Sequence, residues 1–402
     1  MYCRKLIIIV SIFLFTAIMF LQCMQKGAVN SDMRGREYAG SSQCIDCHKD
    51  ISGDFVHNSH FKTSSLVNSP MLSPIINPGN STVNFINDQS VVVEQKDSLF
   101  YQTWYKSGKM MESQTMDIVF GSGKHAQTFG FINNRQWYEL PLTYLTKQGI
   151  WTNSPGFPIN EPYFTRIIPS RCFECHASYI SVTKEKTGPL QLEEKFDRNA
   201  MILGIDCERC HGPAAQHVAF HRQHPDEKQA RNIVSIKSLS RKQQLDLCAT
   251  CHSGNPVSMR SIFTFTPGDT LSNFYLYFPG AKNNPDVHGM QLQALELSKC
   301  FQQSTLTCLT CHQPHTGKNI VTNFTATCFS CHNQSTHTIT MNKENKDCIN
   351  CHMPLLSSKS LDFNNGTTGK NIPYLLHNHR IAIYPANLPD KNPYSSGPEQ
   401  KR

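Results

Sequence analysis

Cys308-Leu309-Thr310-Cys311-His312 sets two thiols three residues apart and puts an imidazole directly after the second. The same unit returns at Cys328, Cys331, His332 and at Cys348, Cys351, His352, in even steps of 20 residues. Four earlier copies read Cys44, Cys47, His48; Cys172, Cys175, His176; Cys207, Cys210, His211; and Cys248, Cys251, His252. That makes seven motifs, numbered first to seventh below in chain order. A helical turn puts residues i and i+3 on one face, so both sulfurs can meet one edge of a flat ring. The chemistry this supports is attachment of a c-type haem: the thiols add across the vinyl groups and the next His ligates the iron. A zinc site or a disulfide would also use paired cysteines, but neither requires a His after every second Cys. Seven such repeats therefore point to seven covalently attached haems c, with His48, His176, His211, His252, His312, His332 and His352 as proximal iron ligands.

Eighteen histidines less these leave eleven: His57, His60, His125, His217, His221, His224, His288, His315, His337, His377 and His379. An isolated His is usually a surface or hydrogen-bonded core residue, but here the surplus exceeds the number of irons. The set chosen as second axial ligands is His60, His125, His217, His288, His315, His337 and His379, with His57 able to replace His60, and His221 or His224 to replace His217. His315 follows His312 too closely to reach across the same haem and would serve a neighbour. Met353, next to His352, reads as packing, and Cys300 as a buried thiol.

The elements that must position these residues follow from composition and punctuation. Only 39% of the 402 residues are hydrophobic, so apolar porphyrin is expected to stand in for peptide core. The fold class this predicts is mainly α and irregular, a haem-packed multihaem cytochrome fold with a small antiparallel β insertion. Residues 24–79 form a first haem module, closed by a segment with Pro70, Pro74 and Pro78. Residues 80–165 hold no Cys, and β-branched and aromatic runs there predict strands. Phe129 to Ile132 and Gln136 to Leu140, joined through Asn133-Asn134, predict a hairpin. Residues 166–359 form a six-haem domain and 360–402 a tail. The Gly121-Ser122-Gly123-Lys124-His125 loop lacks the spacing of a phosphate loop and reads as a turn.

The formal charge of +8 does not argue for nucleic acid as a partner. Each ferric haem adds two propionates and one net positive charge at the iron centre, so seven bring the total to about +1. At the N-terminus, Arg4 and Lys5 precede an apolar run of 16 residues, Leu6 to Leu21, shorter than the ~20 a membrane span needs. Cys23 closes this run and predicts a lipoprotein anchor within residues 1–23, with an uncleaved anchor or a secreted product as alternatives. The expected location is extracytoplasmic, on the periplasmic or cell-surface side, at the membrane.

With these residues in view the chain resembles the exported multihaem cytochromes of the cytochrome c-554 type. The phrases that carry the resemblance are Tyr38 to His60, Gly121 to His125, Gly204 to His217, Lys299 to His315 and Cys348 to Pro354. The resemblance implies haems in close pairs, mostly with His on both faces, serving electron transfer, and it favours His60, His125, His217 and His288 among the spare histidines. The function it predicts is a heptahaem carrier in an extracytoplasmic respiratory chain, exchanging electrons with other cytochromes or a quinol-oxidising complex. The alternative is a multihaem oxidoreductase that acts on a small nitrogen or sulfur compound at one open haem. Tyr101, Tyr105, Arg135 and Tyr138 could line its pocket, although aromatic residues on strands are usually core.

Overall fold

The computed structural model describes residues 32–76, 80–277, 284–317, 324–332, 347–365 and 368–384. The N-terminal segment with Cys23, His337 and the last part of the tail lie outside these residues.

Alternating hydrophobic residues build most of the first half. β1 (Ser64–Leu66) precedes a four-stranded meander of β2 (Thr82–Phe85), β3 (Gln89–Lys96), β4 (Leu99–Lys106) and β5 (Lys109–Thr115). Then come β6 (Ile118–Phe120), β7 (Ala126–Asn133), β8 (Gln136–Leu145), β9 (Ile150–Asn153) and β10 (Arg166–Ile167). These pair in the order β1-β6-β7-β8-β10, with β9 also on β8. The predicted hairpin forms, and Asn134 (φ 47°) and Arg135 (φ 62°) supply the two left-handed residues of its tight turn.

The six-stranded sheet is the middle layer. One face packs on the meander around Val91, Val93, Phe129, Leu140, Leu142 and Phe164. The other face, through Ile118 and Trp137, packs on Phe173 of the second motif and on Ile180 and Phe196. Those last two belong to a long hairpin, β11 (Ala177–Lys186) and β12 (Leu192–Leu203). Period-two alternation along β8 puts Trp137 and Glu139 towards the second motif, and Tyr138, Leu140 and Leu142 towards the meander.

The expectation of a mainly α fold is overturned: the described residues are about 27% helix and 29% strand, with several antiparallel sheets. Two features of the structure account for the difference. The motif helices are short: the fifth covers only Cys308–Cys311 and the third only Cys207–His211. Within residues 166–359, expected as a six-haem domain, the first element after the second motif is the β11–β12 hairpin, whose two register shifts interrupt the alternation that would have shown it. The β unit is also larger than an insertion at 80–165, because its sheet takes in β1 and β10.

Among the described residues no helix is long and apolar enough to cross a membrane.

Candidate haem sites

Each motif lies on or beside a short helix, and side-chain caps define where several of them start. Asp206 accepts the Arg209 amide at 2.9 Å to start the third-motif helix. Ser240 and Gln243 form a reciprocal capping box for Arg241–His252, which ends in the fourth motif. Thr307 and Thr310 do the same for the fifth, and Asp347 caps Cys348–His352 in the seventh. Helices this short are not stable alone, so tertiary contacts must hold them.

The strongest such contact joins the first and third motifs. Arg34 is almost fully buried and donates to Asp206 at 2.8 Å and to Glu208 at 2.9 Å. Glu208 also accepts the amides of Ala39 (2.9 Å), Gly40 (2.8 Å) and Ala214 (2.8 Å). The chain leading into the first motif is thereby tied to the third-motif helix, and Cys44 comes within hydrogen-bonding reach of Cys207. Equivalent contacts join Cys175 to Cys251, Cys248 to Cys308 and Cys328 to Cys348. The fifth-motif helix also packs on Phe324–Phe329 of the sixth, and Cys210 lies within electrostatic reach of Cys248 and Cys251. In a haem-loaded chain these sulfurs are thioethers, so what carries over is their proximity. The described motifs thus run first–third–fourth–fifth–sixth–seventh, and the second lies against both the third, whose Arg209 donates to the Glu174 carbonyl at 3.2 Å, and the fourth. All described cysteines, Cys300 included, are free of disulfides.

The motifs line one branched cavity of about 3490 Å³. A single small-ligand pocket occupies roughly 300–1,000 Å³, so this is room for several large groups. Inside it, motif histidines face spare ones. His48 and His217 have ring centres 6.4 Å apart, His252 and His60 6.1 Å, His211 and His315 5.8 Å, and His312 and His379 6.1 Å. Two metal–imidazole bonds of about 2 Å, plus the reach from each nitrogen to its ring centre, give roughly 6 Å across a bis-imidazole metal. The rings therefore stand at the separation that a shared iron requires.

Hydrogen bonds and burial prepare histidines along the cavity as ligands. The Nδ1 atoms of His176, His217, His352 and His377 lie 3.1, 2.7, 2.9 and 2.7 Å from the backbone carbonyls of Thr63, Arg231, Ala382 and Met353. A carbonyl only accepts, so the proton sits on Nδ1 and the lone pair on Nε2, the tautomer a metal binds. Burial holds the imidazolium form down: His60 and His379 are lowered to about 4, and His176, His211, His312 and His315 are lowered as well. Among the described residues no three His, Cys, Asp or Glu converge on a directly bound metal ion, as a zinc centre would need. The residues fit haem.

Four of the spare histidines selected from the sequence, His60, His217, His315 and His379, face a motif histidine. His125 and His288 both pack edge-on against Tyr374, at 6.0 and 6.4 Å, and His288 also lies within electrostatic reach of His176. His221 packs beside His217 at 4.6 Å. His377, left out of the chosen set, lines the cavity next to the seventh motif. Its signal in the sequence was only its place two residues before His379. Arg135 pairs with Glu185 at 3.0 Å and Tyr138 stacks on Phe131 at 5.2 Å.

Residues 163–212, which contain the second and third motifs, match the family described as cytochrome c554 and c-prime. No curated protein and no solved structure matches the chain. The family match and the motif geometry agree on a c-type cytochrome, a protein that carries covalent haem c and works in electron transfer. When bound, haem supplies an iron that cycles between ferric and ferrous states. Where haem is bound, the facing imidazoles would hold that iron and the cavity wall would exclude water.

Proposed function

We propose that the protein is a heptahaem c-type cytochrome that passes electrons through closely spaced haems, most of them with histidine on both faces. The observation that carries this is the set of four facing histidine pairs in one cavity, 5.8 to 6.4 Å apart. Two imidazoles keep the coordination shell similar in both oxidation states, so each electron needs little rearrangement. Contacts between successive motifs bring the haems close enough for hopping. The setting is an extracytoplasmic respiratory chain, since this haem attachment takes place outside the cytoplasm. The N-terminal segment and Cys23 would hold the protein at the membrane as a lipoprotein, where another cytochrome or a quinol-oxidising complex can reach it.

Intact mass of the mature protein tests the count. It should exceed the peptide by seven haems, with most irons low-spin by electron paramagnetic resonance; fewer haems and free motif thiols would reject the reading.

A further inference from the structure

The loop from Asn58 to Ser64, which leads into β1, meets three motifs besides the one it follows. His60 faces His252 of the fourth at 6.1 Å. The His60 carbonyl accepts the Ile205 amide at 2.9 Å, two residues before Cys207 of the third. Thr63 meets the second: His176 Nδ1 lies 2.9 Å from the Thr63 hydroxyl and 3.1 Å from the Thr63 carbonyl. Ser64 donates its hydroxyl to the His176 carbonyl and accepts the Gly204 amide at 3.0 Å.

The loop is fixed at both ends. Asn58 is buried, accepts the His60 amide at 2.8 Å and donates to the Thr316 carbonyl at 2.6 Å. Gly204 has φ 69°, and a Cβ there would meet the Phe61 carbonyl oxygen at 2.0 Å, so only glycine lets the chain entering the third motif pass this close. The same contacts thereby set both His60 and Thr63.

With Nε2 of a motif histidine on iron, its Nδ1 carries the ring proton and can only donate. His176 then shares one proton between the Thr63 hydroxyl and carbonyl oxygens, a three-centre hydrogen bond. The carbonyl already accepts the Gly121 amide at 2.8 Å, so the hydroxyl is the nearer and less shared acceptor. Acceptors on Nδ1 raise the basicity of the ring, and a more basic ring favours ferric over ferrous iron. The fourth motif has less of this. His252 Nδ1 has one described acceptor, the Gln291 side-chain oxygen at 3.2 Å, while Gln291 Nε2 turns to the Val287 carbonyl at 3.1 Å. The two motifs are in contact: Cys175 Sγ lies 4.0 Å from the Cys251 carbonyl, and Cys251 Sγ 3.8 Å from the Glu174 carbonyl.

We propose that Thr63 is a positioning residue that lowers the reduction potential of the second motif's haem below that of the fourth, so that electrons pass from the second to the fourth. In that step the ferrous iron at the second motif gives up one electron and becomes ferric, and the ferric iron at the fourth accepts it and becomes ferrous. No proton or further reactant takes part. This gives direction to one contact of the proposed electron-transfer function, and it rests on the reading that both motifs carry haem.

The test is a potentiometric titration of the fully loaded full-length protein, followed by optical absorption and electron paramagnetic resonance. Thr63→Val removes the hydroxyl and keeps the side-chain shape. It should raise the potential of one haem, changing its ferrous-to-ferric ratio about threefold or more, which is ~30 mV for a one-electron couple, with haem mass and spin states unchanged. Thr63→Ala should shift the same haem the same way, and Thr63→Ser, which keeps the hydroxyl, should match the native protein. Replacing Cys172 and Cys175 together by Ala removes the second haem and should remove the component that Thr63→Val moves. His60→Ala turns the fourth haem high-spin and so identifies its component, which in the native protein should reduce at the higher potential of the two. Four results would overturn the proposal: neither hydroxyl-free variant moves a potential, Thr63→Ser shifts it as far as Thr63→Val, the moved component survives loss of Cys172 and Cys175, or that component reduces above the fourth in the native protein. Failure of the electron-transfer reading would show differently, as a haem count below the number of motifs or as haems that do not reduce in the native protein.

Discussion

At the scale of single residues, the histidines differ in what they face: some a motif histidine, others Tyr374. His217 faces His48, so His217→Ala should convert one low-spin haem to high-spin without loss of haem, read by electron paramagnetic resonance and mass. Glu139 behaves differently. Burial raises its carboxyl to about 7, and Arg166 at 3.3 Å lowers it only in part. Between about 4.5, its free value, and about 7 the folded chain therefore holds a proton that the unfolded chain has lost. Stability from this group is present below that window and falls as pH rises through it, with the cost complete above about 7. Glu139→Gln should flatten the pH dependence of denaturant unfolding across this window and stabilise the protein at pH 8 by up to roughly 2 kcal/mol. An unchanged slope would place the proton elsewhere.

At the scale of elements, two junctions hold the motifs in place. Phe173 lies between two cysteines of the second motif and is fully buried against Trp137 and Phe196, at 6.2 and 5.5 Å between ring centres. Phe173→Ala should cost about 3–5 kcal/mol in unfolding free energy and loosen the second-motif helix from the sheet while the meander keeps its own core. Arg34 is the other junction. Removing it leaves Asp206 and Glu208 buried without their cation, although backbone amides still serve Glu208. Arg34→Met should cost about 3–5 kcal/mol, as loss of one partner of a buried ion pair does, and should separate the first motif from the third. Reduced haem attachment at Cys44 and Cys47 alone would show it.

At the scale of the whole molecule, the fourth motif is the hub. It touches the second and fifth motifs through Cys251 and Cys248, and Cys210 of the third lies near both sulfurs. Its histidine faces His60. His60→Ala should therefore alter one haem in the spectrum yet slow electron passage between the two ends of the line, measured by time-resolved reduction. If passage is unaffected, electrons follow a route that avoids the fourth motif.

What the sequence by itself determined is the attachment chemistry. Two sulfurs and an imidazole within five consecutive residues need only one turn of backbone, so Cys308 to His312 is legible without knowing what surrounds it. The hairpin through Asn134 was legible for the same local reason. Tertiary structure alone decided which rings face each other. His60 lies twelve residues beyond His48 but crosses to His252, and His315, three residues after His312, turns to His211. Nothing in local spacing separates those two from His125 and His288, which turn to Tyr374 of the tail. The balance of strand and helix was decided there too. β1 and β10 are three- and two-residue segments with no periodicity to read, and they are strands only because β6 and β8 offer them partners. Spacing along the chain records covalent reach and local hydrogen bonding; it holds no record of which distant surfaces bury each other.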